Sequence, residues 1–175
     1  AGGAGRRSGG AGSRLWATYL GGSFFEERAV VAVDKLTNDV YIGGDTYSLN
    51  FPVTSCAWQK TLAGGISEDI FLTHFTSAGQ MVCSSYIGGT HTVNDEDVRI
   101  ALFGCYIYVT GNTNGSFPVT SGAHQTAYGG SGSTYGDAFI AQLYKNTCSI
   151  NNKLNVSFNN TASNVCTNTP VNFTP

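Results

Sequence analysis

Short apolar segments punctuated by glycines dominate the hydrophobic pattern of the chain. Each segment is too short for an ordinary helix and is rich in β-branched and aromatic residues, as strands are. The segments are 15–20, 29–33, 40–44 and 69–75 in the first half, and 82–87, 98–102, 107–111 and 137–143 in the second. No segment has a sustained apolar period of about 3.6 residues, so the pattern predicts an all-β protein with almost no helix.

The same elements occur twice, at a spacing of about 67 residues. The clearest pair is Phe-Pro-Val-Thr-Ser at 51–55 and 117–121, followed at the same distance by Gln59 and Gln125. Self-similarity at a fixed spacing is typical of repeat architectures. Segment 29–33 is apolar at every position, which further predicts a strand that packs on both faces.

The repeats divide the chain into three parts. A Gly-rich arm at 1–14 precedes a repeat domain at 15–150, with repeats at about 15–81 and 82–148, and an Asn/Thr-rich tail occupies 151–175. Sequential short strands at a constant period are typical of propeller blades. The expected fold is therefore two four-stranded antiparallel propeller-type blades, plus terminal edge strands.

Four elements in order resemble the seven-bladed beta-propeller (SBBP) repeat of bacterial secreted proteins. They stand at 18–22, 108–111, 117–125 and 137–141. The resemblance implies a propeller-type fold and export, and it brings no catalytic residues. The tail resembles the opening strand of a PKD-type domain of bacterial surface proteins, so it is either a β edge or the start of a truncated domain.

The two ends of the repeat domain do not match. Segment 15–20 is the closing strand of a blade without its other strands, whereas 137–144 is not followed by the Tyr-x-Gly-Gly strand that its counterpart has. One surplus strand and one vacancy predict head-to-tail assembly with copies of the same chain. The predicted assembly strand comprises Trp16, Ala17, Thr18, Tyr19 and Leu20. The Asn/Thr-rich tail is the alternative occupant of the vacancy.

Composition restricts the classes of partner. Hydrophobic residues make up 41% of the 175 residues, which allows a real core, while charged residues make up only 11% and the net charge is −2. Without a basic stripe, nucleic acid is not an expected partner, and without a long apolar run no membrane span is expected. No nucleophile elbow, zinc-protease motif or matched acid pair occurs, so we expect a protein that is not an enzyme and needs no cofactor.

Five cysteines follow no zinc-binding spacing, which favours disulfides in an oxidising, extracellular or cell-surface location. Buried free thiols are the alternative. The positions of the strands suggest that Cys83 pairs with Cys105 and Cys148 with Cys166, which leaves Cys56 as the odd thiol.

Three further sets of residues are candidates for ligands or modification. Acidic residues precede segments 29–33 and 98–102 and could gather Ca²⁺: Glu26, Glu27, Asp95, Glu96 and Asp97. They match no calcium-loop motif, and a solvated acidic loop is the favoured alternative. Four sequons make Asn114, Asn155, Asn159 and Asn172 candidates for glycosylation, with chance occurrence in Asn/Thr-rich sequence as the alternative. Trp58 is the candidate for stacking on a polysaccharide.

The unmatched ends of the repeat domain and the lack of catalytic motifs favour a structural protein over a binding module. The leading hypothesis is a non-enzymatic extracellular structural protein that assembles through strand edges into a surface fibre or scaffold. The alternative is a fragment of a secreted β-propeller that acts as a glycan- or protein-binding module.

Overall fold

The computed structural model describes residues 13–63, 65, 67–90, 95–115, 117–130 and 136–145. This part of the chain is all-β and contains no helix, as the hydrophobic pattern predicts. Its strands are β1 (Glu26–Val33), β2 (Val40–Thr46), β3 (Asp69–Phe75), β4 (Met81–Ile87), β5 (Asp95–Phe103), β6 (Tyr106–Thr113) and β7 (Asp137–Tyr144). No helix long and apolar enough to cross a membrane occurs among these residues.

The strands form two antiparallel sheets. The first has the order β1-β2-β3-β4 and the second has the order β5-β6-β7. Strands adjacent in sequence are adjacent in space, so each sheet is a meander. The first sheet ends with β4, which the predicted bounds assign to the second repeat. From here, the first and second repeats mean the first and second sheets with their loops. The described second sheet has three strands rather than the four predicted for each blade. The two sheets do not close into a ring, and the propeller-type arrangement stays a prediction.

The main core lies between the two sheets, where β5 packs against β1, β2 and β3. Successive side chains of a strand point to opposite faces, so alternate apolar positions on each sheet reach this core. Its buried side chains are Tyr41, Ile70 and Ile87 of the first sheet and Val98, Ile107, Val109 and Phe139 of the second. Burial of each such apolar side chain stabilises the fold by about 1.5–3 kcal/mol.

A second, smaller core lies on the opposite face of the first sheet. The long loop between β2 and β3 folds back over this face, and its residues Phe51 and Leu62 pack against Phe71 and Tyr86. The rings of Phe51 and Phe71 lie 4.5 Å apart. The Phe-Pro-Val-Thr-Ser motif therefore begins a loop that covers the sheet.

The structure corrects the prediction that segment 29–33 packs on both faces. Val30 packs against the core between the sheets, but Val31 is 65% exposed and Val33 is 51% exposed. The covering loop lies over β3 and β4 and leaves this face of β1 open. β1 thus presents unpartnered apolar side chains, which often mark contact surfaces.

The structure also corrects the strand predicted at 15–20, which is not a β-strand in the described chain. Trp16 stacks on Phe75 at 6.0 Å and donates its indole N–H to the carbonyl of Ser77 at 3.1 Å. Tyr19 is fully exposed. A strand requires a pairing partner, and no described residue pairs with this segment, including those of β7.

Candidate strand-acceptor site

In the first repeat, the covering loop hydrogen-bonds the outer edge of β4. The N–H of Thr54 donates to the carbonyl of Ser84 at 3.1 Å, and the N–H of Tyr86 donates to the carbonyl of Gln59 at 3.2 Å. Unpaired edge groups favour association with other chains, and this loop prevents that by occupying the edge. The outer edge of β4 is therefore closed by its own repeat.

The side chain of Gln59 connects the loop, β3 and the end of β4. Its Nε2 donates to Asp69 Oδ2 at 2.8 Å and to the carbonyl of Thr61 at 3.0 Å. Its Oε1 accepts from the N–H of Gly88 at 3.0 Å. Asp69 also accepts from the N–H of Ala63 at 2.7 Å, so it caps the entry to β3.

Tyr86 locks β4 under the loop. Its hydroxyl donates to the carbonyl of Ser48 at 2.6 Å and accepts from the N–H of Phe51 at 2.9 Å. The side chain is completely buried and lies opposite Phe71 in the sheet. Burial raises the pKa of Tyr86, which keeps the hydroxyl protonated as a donor.

The second sheet has the same loop contacts, and no fourth strand accompanies them among the described residues. Gln125 Nε2 donates to Asp137 Oδ2 at 3.0 Å and to the carbonyl of Ala127 at 2.9 Å. The N–H of Gly129 donates to Asp137 Oδ2 at 2.7 Å, and the rings of Phe117 and Phe139 stack at 4.0 Å. The loop of this repeat is thus held in the conformation that receives a strand in the first repeat.

The residues of this second loop are less covered than their counterparts. Phe51 is 2% exposed and Asp69 is 1% exposed, whereas Phe117 and Asp137 are only half-buried. Among the described residues, β7 pairs with β6 alone and its other edge has no partner. We call this edge, together with the loop 117–129, the acceptor groove.

Two polar atoms of the second loop lack hydrogen-bond partners within the described chain. They are Asn114 Oδ1 and the hydroxyl of Tyr128, both of which are buried from solvent. An unsatisfied buried polar atom costs about 1–3 kcal/mol, so such atoms are usually partnered in a completed structure. Asp45 Oδ1 and Glu68 Oε2, beside Arg28, likewise lack a partner within the described chain, so these atoms do not by themselves mark a vacant site.

A cavity of about 430 Å³ lies between the sheets beside the acceptor groove. Ser85 and Ile87 of β4 line one wall, and Ile107 and Leu143 of the second sheet line another. β4 has no strand opposite it in the described second sheet, and the cavity occupies that place. Its lining is mostly apolar, which suits the side chains of an added strand.

The remaining sequence-predicted residues are dispersed. Trp58 is 55% exposed and lines the cavity. Cys83 and Cys105 are each disulfide-bonded, and Cys56 is free. The predicted pairing of Cys83 with Cys105 stays a prediction. Asn114 is half-buried. Cys148, Cys166, Asn155, Asn159 and Asn172 lie outside the described residues.

Three of the predicted calcium ligands lie together, but around a guanidinium group. The guanidinium nitrogens of Arg28 lie 4.0 Å from Glu27 Oε2, 3.0 Å from Glu96 Oε2 and 3.6 Å from Asp97 Oδ1. Arg28 also contacts two buried carboxylates, at 2.7 Å from Asp45 and 3.4 Å from Glu68. The sequence analysis missed Arg28, Asp45 and Glu68.

The other two predicted ligands, Glu26 and Asp95, accept hydrogen bonds elsewhere in the structure. Glu26 accepts from the hydroxyl of Thr46 at 3.0 Å, and Asp95 accepts from the N–H of Gly89 at 2.6 Å. No group of three or more side chains arranged to hold a metal occurs in the described part of the chain. The positive charge of Arg28 already lies where a cation would be attracted.

We expect calcium removal to leave the thermal stability unchanged, because the guanidinium of Arg28 already lies among the carboxylates of Glu27, Glu96 and Asp97. A ligand that binds only the folded state raises the melting temperature by mass action, so a bound Ca²⁺ would be detected. Calorimetric melting curves recorded in calcium and in chelator provide the measurement. A lower melting temperature in chelator would restore the predicted site at Glu27, Glu96 and Asp97.

We expect the free energy of unfolding to fall as the pH rises from about 4.5 to about 7. Burial, followed by a hydrogen bond with Glu96, raises the pKa of Glu68 to about 7. In this window the folded chain binds a proton that the unfolded chain has lost, so stability falls by up to about 1.4 kcal/mol per pH unit. The loss is complete above the folded pKa.

Urea titrations over this pH range measure the effect, and Glu68→Gln should reduce the slope because the amide cannot titrate. Asp69, whose pKa burial raises to about 7, contributes with the same sign and remains in the variant. Glu27→Gln, at an exposed position, is the matched control. Equal slopes in wild type and Glu68→Gln would refute the assignment.

The SBBP and PKD resemblances of the sequence stay predictions. No protein-family model matches the chain, and neither a curated protein nor a solved structure matches it.

Proposed function

We propose that the chain is a structural protein that assembles head to tail by strand donation. Residues 15–22 of one copy would pair with β7 of the next copy and fill its acceptor groove. The observation that carries this proposal is the loop of the second repeat. Its Gln125–Asp137 and Phe117–Phe139 contacts match those of the first repeat, while the described part of the chain places no strand beside β7 on this edge. Such β-strand addition combines main-chain hydrogen bonds with side-chain pockets.

The donor sequence fits the groove at the positions that matter in the first repeat. Residues 18–22 are Thr-Tyr-Leu-Gly-Gly, and residues 85–89 are Ser-Tyr-Ile-Gly-Gly. Tyr19 therefore takes the place of Tyr86, opposite Phe139 and under the loop. Its exposure in the described chain leaves it available for this contact.

The glycines of the donor are equally required. A Cβ at Gly88 would lie 2.4 Å from the carboxyl carbon of Asp69, so only glycine fits there. Gly21 is the donor counterpart of Gly88. It would therefore approach Asp137 closely and donate its N–H to the free side-chain oxygen of Gln125.

The exposed apolar faces of the two sheets would add to the contact made by strand donation. In the two repeats, Val31 and Ile100 occupy equivalent register positions, and Ile100 packs closely on Gly43 between the sheets. An incoming β1 can therefore stack its exposed valines on the outer face of the second sheet. Ile140 on that face is 77% exposed, and Phe103 is 76% exposed. One docking event would bury both apolar surfaces.

Repetition of this contact would produce a propeller-type stack of sheets shared between copies. Donor and acceptor are different surfaces, so the assembly grows as an open filament unless the rotation closes it into a ring. The disulfide-bonded Cys83 and Cys105 support an extracellular or cell-surface location, where such a fibre or scaffold would act.

One observation favours the binding-module alternative. Trp58 is half-exposed at a mostly apolar cavity, and aromatic side chains on such rims hold sugars or protein segments. In this alternative the chain is part of a secreted β-propeller. Loss of polysaccharide binding in Trp58→Ala, with unchanged oligomeric state, would support it.

Sedimentation velocity tests the proposed function most simply. We expect a distribution of species that shifts to larger size as the concentration rises from submicromolar to tens of micromolar. The shift should persist in chelator and in the presence of soluble glycans. A single monomeric species over the whole range would contradict assembly and favour the binding module.

A further inference from the structure

A free thiol touches a disulfide sulfur beside the cavity. Cys56 is unbonded, Cys83 is disulfide-bonded, and their Sγ atoms lie 3.4 Å apart. This separation is a contact between sulfur atoms that are not bonded to each other. Thiol–disulfide exchange begins from such a contact, with a thiolate facing one sulfur of a disulfide.

The surroundings of the two sulfurs permit the reaction. The hydroxyl of Thr54 lies 3.2 Å from Cys56 Sγ, so it can donate a hydrogen bond to a thiolate. Both cysteines are half-buried and line the cavity, so solvent can take up the thiol proton. His74 and Lys145 line the same cavity, where each is paired with a carboxylate, His74 with Asp39 and Lys145 with Asp34.

We propose that Cys56 is the nucleophile of an internal thiol–disulfide exchange at Cys83. The Cys56 thiol loses its proton to solvent, and the thiolate attacks Cys83 Sγ. A Cys56–Cys83 bond forms while the bond between Cys83 and its present partner breaks. The electron pair leaves on the partner's sulfur, which then takes up a proton. One disulfide replaces another, so no external oxidant or reductant is required.

The chain can therefore exist as two disulfide isomers of equal oxidation state. This inference depends on the contact between Cys56 and Cys83 and is independent of strand donation. It identifies a covalent exchange site in the loop that covers β4, where Thr54 also hydrogen-bonds Ser84. Exchange would tie this loop covalently to the strand that it covers.

Tryptic mapping of the full chain resolves the two isomers, because each cysteine lies in a different tryptic peptide. These peptides are 36–60, 61–99, 100–145, 146–153 and 154–175. Folded protein is held without reductant at mildly acidic and at mildly alkaline pH, treated with N-ethylmaleimide, and digested without reduction. The position of the maleimide identifies the free thiol in each sample.

We expect a 36–60/61–99 disulfide in the alkaline sample, with the maleimide transferred from Cys56 to the former partner of Cys83. The disulfide should form faster at higher pH, because the thiolate is the attacking species. Cys56→Ser should keep the original disulfides at every pH. The proposal is overturned if the maleimide remains entirely on Cys56, or if Cys56 becomes linked to a cysteine other than Cys83, which would indicate general scrambling.

Discussion

Phe71→Ala is expected to lower the free energy of unfolding by about 3–5 kcal/mol. The Phe71 ring is 2% exposed, packs against Phe51 at 4.5 Å and lies opposite Tyr86, so its removal leaves a cavity that these neighbours cannot fill. Phe139→Ala should have a comparable effect, because Phe139 is 8% exposed and stacks on Phe117 at 4.0 Å. Chemical denaturation curves measure both values.

Phe103→Ala is the matched control for these two variants. Phe103 is 76% exposed in the described chain, so its truncation should change the stability of the monomer by no more than about 0.5 kcal/mol. The measurement is made at a concentration where assembly is absent. Near-neutral effects at both Phe71 and Phe139 would show that the two are not equivalent core residues, and would contradict the repeat.

Tyr19→Ala is expected to weaken assembly strongly while leaving the monomer intact. Tyr19 is fully exposed in the described chain, so the folded copy loses no packing. In the groove, the side chain would gain the buried position and both hydrogen bonds that Tyr86 has in the first repeat. Loss of a central aromatic anchor reduces the binding free energy by about 2–4 kcal/mol, which corresponds to a roughly 30- to 1,000-fold larger dissociation constant.

Sedimentation equilibrium gives this constant, and Leu36→Ala is a suitable control. Leu36 is 78% exposed in the hairpin between β1 and β2, outside both residues 15–22 and the acceptor groove. Gln125→Ala examines the acceptor side and should also weaken assembly, because its side chain holds the loop of the groove to Asp137. Assembly of Tyr19→Ala with wild-type affinity would exclude residues 15–22 as the donor.

The sequence predicted the strands well, because each was long enough for its alternation to be recognised and each had a partner nearby in sequence. Hairpins such as β3–β4 and β5–β6 pair locally, so local pattern determines them. Segment 15–20 has equally strong strand composition and still does not pair. Strand formation depends on a partner edge, and propensity alone cannot supply one.

The acceptor groove was predictable only in outline. The missing Tyr-x-Gly-Gly strand could be found by aligning the two halves. The retained Gln125–Asp137 contact and the orphaned hydroxyl of Tyr128 could not, because they depend on how the loop folds back. Comparison of the two halves of the sequence can therefore show that the Tyr-x-Gly-Gly motif does not follow 137–144, whereas the contacts of the loop with Asp137 are visible only in the structure.

The carboxylates around Arg28 show a different limit of prediction from sequence. Glu27, Glu96 and Asp97 were recognised, but their partner Arg28 was not, because its role depends on a left-handed backbone with φ of 49°. That conformation accompanies the register shift near the start of β1. Such bulges redirect side chains in ways that alternation along a strand does not predict.

Hydrogen exchange across a range of concentrations tests strand donation most directly, because it reports the donor and the acceptor in one measurement. We predict that amides of residues 15–22 and of β7 become protected together as the concentration rises, and that Tyr19→Ala shows neither change. Protection of β7 at every concentration, with residues 15–22 exchanging freely, would contradict the proposal. In that case another part of the same chain, such as the Asn/Thr-rich tail, fills the acceptor groove.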